Sequence, residues 1–181
     1  MRTLLALLLG LCLAGGAFAD QRDRRLDNLF GRLQVTEDVR EAQMLQVLIW
    51  NIWTESDSDT IDLLMQKAVQ EMTIGNHRDA MENFNTIIAL RPEFAEAWNK
   101  RATLLFHMGR YDASVADIKR TLELEPRHFG ALSGLGMIEV RRENDAAALS
   151  AFERALAVNP HLRMPRSEVK RLRKKVLGAP T

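Results

Sequence analysis

The strongest constraint in the chain is a period. When residues 61–94, 95–128 and 129–162 are aligned without gaps, the same residue classes return every 34 positions. A large apolar column reads Leu64, Trp98, Leu132, and a small column Ala68, Ala102, Gly136. A second small column reads Ala80, Ser114, Ala148; Phe84, Ile118 and Phe152 follow, and Pro92, Pro126 and Pro160 close each unit. Such a period marks stacked helix hairpins, none of which buries its apolar face alone. Small residues let paired helices approach, the bulky column fills the space between hairpins, and a proline, lacking an amide hydrogen, ends each second helix. The spacing predicts first helices over 61–73, 95–108 and 129–141 and second helices over 78–90, 111–124 and 145–158.

This order of residue classes resembles the tetratricopeptide repeat (TPR), over 102 of the 181 residues. The resemblance implies an all-α solenoid of three hairpins, a non-enzymatic binding module whose concave wall is built by the first helix of each repeat. Carried over by column, that wall comprises Asp62, Met65, Val69 and Met72, then Glu96, Asn99, Thr103 and Phe106, then Ser133, Met137, Val140 and Arg141. Some members of the family grip a C-terminal carboxylate there with basic and asparagine side chains. In this chain Met65, Val69, Gly130 and Gly134 stand at those places, and Asn99 with Lys100 alone makes no clamp. The expected ligand is therefore a protein or peptide segment on an adaptable, methionine-bearing surface. The leading hairpin or a partner subunit are the rival occupants of that wall.

The repeats also depart from the family. Its usual leucine column reads Lys67, Arg101, Leu135 and its tyrosine column Glu71, Leu105, Glu139. Lys67 and Glu71 are spaced to pair along one helix. Gly130, Gly134 and Gly136 fall within one helix, each costing about 1 kcal/mol relative to alanine, so that helix is either tightly packed or soft.

Outside the repeats, Met1-Arg2-Thr3 precedes an apolar run over residues 4–13, and Ala17-Phe18-Ala19 follows. Residues 1–19 thus read as a cleaved secretory signal; an uncleaved anchor is the rival, although the 16 residues from 4 to 19 fall short of the roughly 20 that span a bilayer. Cys12 lies inside that segment, so the mature chain would hold no cysteine. Residues 20–60 carry two helical patterns, Leu26, Leu29, Phe30, Leu33 and then Val39, Ala42, Leu45, Ile49 and Ile52/Trp53, with Thr36 as the expected cap of the second. Phe30 and Trp50 fall one period before Leu64 and Phe84, but Gln34 and Gln46 replace the small residues. This predicts a degenerate leading hairpin covering the open end of the array, with Trp50 and Trp53 in its core. Residues 163–181 predict a basic capping helix with Val169, Leu172, Val176 and Leu177 on one side.

Without Arg2 the chain carries 24 basic and 24 acidic residues, a balance that argues against nucleic acid as its partner. The basic tail, Arg166, Lys170, Arg171, Arg173, Lys174 and Lys175, supplies an alternative function: contact with anionic membrane, or self-association in an envelope protein. His77, His107, His128 and His161 show no metal-ligand spacing, so no metal, cofactor or catalytic group is expected. The glycine-rich stretch 130–136 lacks the Gly-Lys-Ser/Thr ending of a phosphate loop. Segments 97–102 and 127–134 resemble small exported TPR proteins of alphaproteobacteria, which implies a periplasmic adaptor of unspecified partner and oligomeric state.

Overall fold

A computed structural model describes residues 23–178, so the leader-like segment 1–19 lies outside the described residues. They form nine helices: α1 (Arg24–Val35), α2 (Val39–Thr54), α3 (Asp59–Thr73), α4 (His77–Leu90), α5 (Ala95–His107), α6 (Tyr111–Leu124), α7 (Phe129–Arg141), α8 (Asp145–Val158) and α9 (Arg163–Leu177). Helices α3/α4, α5/α6 and α7/α8 pack as the three predicted hairpins, and each hairpin stacks on the next. Ala80, Phe84, Ala148 and Phe152 are buried at their centres, as their columns require.

The turn between paired helices uses one conformation in all three repeats. Gly75 and Gly109 have φ of 82° and 71°, and Glu143, at the equivalent place, is held at 59°. The left-handed region suits glycine and strains a residue with a Cβ. The departures from the family pattern also have local causes. In the first repeat Asn76 Nδ2 donates to Glu71 Oε2 (2.7 Å), and in the third Asn144 Nδ2 donates to Glu139 Oε2 (3.1 Å), so the turn asparagine engages the acid that replaces tyrosine. Glu71 is thereby occupied and Lys67 is exposed, so the pairing expected of them gives way to the turn contact. Arg101 makes a fork to Asp117 (2.7 Å on each arm), reaches Asn85 Oδ1 at 2.7 Å and lies 4.9 Å from the Trp98 ring, tying α4, α5 and α6 together.

Helix α9 covers the last repeat: Val169 and Leu172 pack with Ala148, Leu149 and Phe152. It begins at Arg163, with Pro165 in the first turn, where the missing amide hydrogen costs nothing. At the other end Asp38, not Thr36, caps α2 by accepting from the Arg40 amide at 2.8 Å, while Thr36 donates its hydroxyl to Glu41.

The leading hairpin α1/α2 is placed differently from expectation. It does not stack on α3 and α4, whose strip Leu63, Lys67 and Gln70 is exposed. It folds inward instead: Leu26, Phe30, Leu33, Leu45, Ile49 and Trp53 form one buried cluster with Phe129 of the third repeat, flanked by Val158 and Leu162. The bulky Trp50 and Trp53 need a deep apolar seat, and the junction between the second and third repeats supplies it.

Candidate functional site

Helix α3 touches α5 and α5 touches α7, so the first helices of the repeats lie side by side and line the inner wall. The hairpin covers the N-terminal ends of α5 and α7 on that wall. Its central contact is His128, fully buried. The Trp53 ring stacks on the imidazole with centroids 4.1 Å apart and planes 10° from parallel. The Ala131 amide donates to His128 Nδ1 (3.1 Å), which caps α7 and leaves the ring proton on Nε2, where it is donated to Glu96 Oε2 at 3.0 Å.

Glu96 is a carboxylate with no solvent exposure. Burial by itself raises its pKa, but the hydrogen bond from His128 and the charge of Lys100 outweigh it and hold the group below the ordinary carboxylate range. Asn99 Nδ2 donates to Oε2 (2.9 Å), and Lys100 Nζ faces Oε1 at 3.1 Å as an ion pair. Lys100 also lies 5.5 Å from the Trp50 ring. Helix α1 is fixed by Arg127, which pairs with Asp27 at 2.7 Å and covers the Phe30 ring at 4.6 Å. At the far end His161 Nε2 donates to the Leu33 carbonyl at 3.1 Å. Both junction histidines therefore receive the hairpin.

The residues expected on the wall divide into three groups. Met65 is buried in the core of the first repeat, with Val69 and Met72 packed against that core. Asn99, Thr103, Phe106, Ser133 and Met137 do come together, around a cleft of about 180 Å³ between α5 and α7 that is bounded at one end by Gly130. Val140 and Arg141 lie apart from it, in a shallower cleft between α7 and α9 that shares Met137 and adds Met164, Glu168 and Arg171. In the first cleft the hydroxyls of Thr103, Ser114 and Ser133 donate to the carbonyls of Asn99, Ala102 and Phe129 at 3.0, 2.7 and 2.7 Å. Its serine and threonine protons are thus spent on the backbone, and the lining is mainly apolar, with Asn99 and His107 as its other polar side chains.

Three of the six cations named in the basic tail are paired with acids in place. Arg171 pairs with Glu168 and Arg173 with Glu153, both at 2.7 Å, and Lys175 pairs with Asp145. Arg166 donates to the Pro160 carbonyl, while Lys170 and Lys174 are exposed. Among the described residues no helix is long and apolar enough to cross a membrane, and no three His, Cys, Asp or Glu side chains gather in metal-binding geometry. Sequence reading missed the roles of Trp50, Glu96 and His128; the signal was a glycine, Gly130, where Trp50 now sits.

Paired helices stacked in register, with an inner wall bearing an apolar cleft, define a helical-repeat protein of the α-solenoid class. The chain belongs to the tetratricopeptide repeat family, whose profile matches residues 66–117 and 99–161. It is 41% identical over 155 residues to a TPR repeat-containing protein of Rhizobium etli, spanning 86% of this chain and 76% of that protein. Among solved structures it is similar to the first TPR of Spaghetti (RPAP3) bound to an HSP90 peptide, with 17% identity, a TM-score of 0.61 and coverage of 66% of this chain and 94% of that one. It is also similar to MamA, at 16% identity and a TM-score of 0.60, over 78% of this chain and 86% of that one. These two likenesses are of fold. TPR proteins are generally non-catalytic binding modules.

Proposed function

We propose that the protein is an adaptor that holds a peptide or protein segment of a partner against the cleft between α5 and α7. One observation carries this reading: beside the docked hairpin, the wall keeps an apolar cleft whose hydroxyls are already bonded inward. An apolar surface at a concave site is where peptide side chains gain most from leaving water. The peptide bound to the RPAP3 domain supports the reading by analogy of fold. The basic α9 acts mainly as the cap of the third repeat, because three of its cations are paired within the protein.

The setting we propose is the bacterial envelope. Its support is the leader-like pattern of residues 1–19 and the confinement of cysteine to position 12 within it. Cell fractionation with N-terminal sequencing checks this; a cytoplasmic protein that retains Met1 overturns it. The binding reading is tested by a photo-crosslinker at Met137 in living cells. Capture of a discrete partner should be lost when Phe106→Ala is combined with crosslinking from position 137 in a chain that still melts normally. Undiminished capture would refute the cleft as the binding site.

A further inference from the structure

The three glycines of α7 are not equivalent. A Cβ at Gly136 would lie 2.5 Å from the Phe152 ring, and one at Gly130 would lie 2.8 Å from Trp50, so packing requires glycine at both. At Gly134 a Cβ would meet Ile118 Cδ1 at 3.6 Å, an ordinary contact. Glycine in a helix interior is less stable than alanine. Position 134 therefore gives up helix stability, and its own packing does not demand it.

What the absent side chain creates is the cleft. Gly134 forms its α7 edge, and Ala102, Ile118, Ala131 and Ile138 form its floor. At about 180 Å³ it exceeds the roughly 150 Å³ of an apolar cavity that admits a benzene ring. It also continues an interface already present in the fold. Gly130 and Gly134 stand one turn apart on α7, and the first of these notches is filled by Trp50, a large apolar side chain presented by helix α2. The second notch follows it on the same helix, and Gly130 belongs to both.

We propose that the Gly134 notch is the anchor site for one large apolar side chain, of leucine, methionine or phenylalanine size, from a partner's segment that enters beside Trp50. This deepens the adaptor reading and rests on it only for the source of the side chain. The fit is to an apolar group because the floor is Ala102, Ile118, Ala131 and Ile138, and the lining hydroxyls have already given their protons to backbone carbonyls.

The test uses the blocked amino acids N-acetyl-leucinamide and N-acetyl-phenylalaninamide as probes, with N-acetyl-glutaminamide as the polar control, followed by methyl NMR of Ile118 and Ile138. Saturable shifts are expected with the two apolar probes only. Gly134→Ala should raise the melting temperature by about 2–4 °C, from helix propensity, while weakening the apolar probes several-fold. Gly134→Leu should abolish their binding. A stabilised Gly134→Ala that binds the probes as well as the parent protein overturns the proposal, as do equal shifts with the glutamine probe. Probe binding that survives in a protein with no crosslinked partner would sustain the notch and sink the adaptor reading, so the two fail separately.

Discussion

His128→Ala should remove three interactions made by a single ring. The first is the cap of α7, in which the Ala131 amide reaches Nδ1 at 3.1 Å; losing an N-cap costs about 1 kcal/mol. The second is the hydrogen bond to Glu96, a fully buried carboxylate. Removing the sole partner of such a charge costs roughly 3–5 kcal/mol. Here Asn99 and Lys100 stay in place, so the loss is nearer to one charge-assisted hydrogen bond, about 1.5–3 kcal/mol. The third is the stack on Trp53, about 0.5–1.5 kcal/mol beyond the buried area. Together these give about 3–5 kcal/mol, a large share of the roughly 5–15 kcal/mol that holds a domain folded. Urea denaturation followed by far-UV circular dichroism measures the total, and tryptophan emission follows the hairpin, since Trp50 and Trp53 both lie against His128. His128→Asn, which keeps a capping side chain, should recover about 1 kcal/mol. A cost for His128→Ala below about 1 kcal/mol would refute the assignment of His128 as the point where hairpin, repeat junction and α7 are joined.

Glu143→Gly should stabilise the protein by up to about 1 kcal/mol, since it relieves a left-handed residue where the other two repeats use glycine; an unchanged urea midpoint would count against strain there. Gly136→Ala should destabilise by up to about 2 kcal/mol, the roughly 1–3 kcal/mol of overpacking against Phe152 exceeding the helix-propensity gain. Acid should loosen the hairpin through Glu96. The folded pKa of Glu96 is below the ordinary 4.5, so its contribution is complete above about pH 4.5 and is lost as pH falls through the folded value. Stability measured between pH 6 and pH 3 (about that range) should fall at the acid end, and Glu96→Gln should remove part of the slope.

The repeat array was legible because each hairpin repeats a local rule. Apolar spacing, small columns and closing prolines place α3 to α8 within a residue or two, and the cap α9 follows from Val169 and Leu172. The hairpin α1/α2 obeys no repeated rule. Phe30 and Trp50 fall one period before Leu64 and Phe84, which suggests a stacked leading repeat, yet register fixes only which faces are apolar and leaves open what they cover. Gln34, in place of a small residue, reaches out to the Ala157 carbonyl of the third repeat at 3.3 Å. The inward position needed a seat built by distant residues, His128, Phe129 and Gly130, and a column alignment does not show that these face α2. The same seat removes part of the expected wall. Asn99, a sound choice by column, is only 7% exposed there, whereas Met65, at 8%, is enclosed by the core of the first repeat.

The accessible wall is therefore short, and its energetics constrain how a partner can bind. Burying one large apolar side chain contributes about 1.5–3 kcal/mol, whereas micromolar affinity requires about 8 kcal/mol. A ligand confined to the Gly134 notch would bind only weakly, so a functional partner must cover neighbouring surface as well. Met137 is the residue common to the notch and to the cleft between α7 and α9, where Val140, Arg141 and Met164 are available. A segment running along α7 would cross both clefts at Met137, which is 39% exposed, while Phe106 belongs to the first alone. Met137→Ala should then weaken a purified partner segment more than Phe106→Ala does, although Phe106 has the larger side chain. Isothermal titration with the crosslinked segment, made synthetically, measures both. If Phe106→Ala proves the more damaging, the segment is confined to the α5/α7 cleft and does not run along α7.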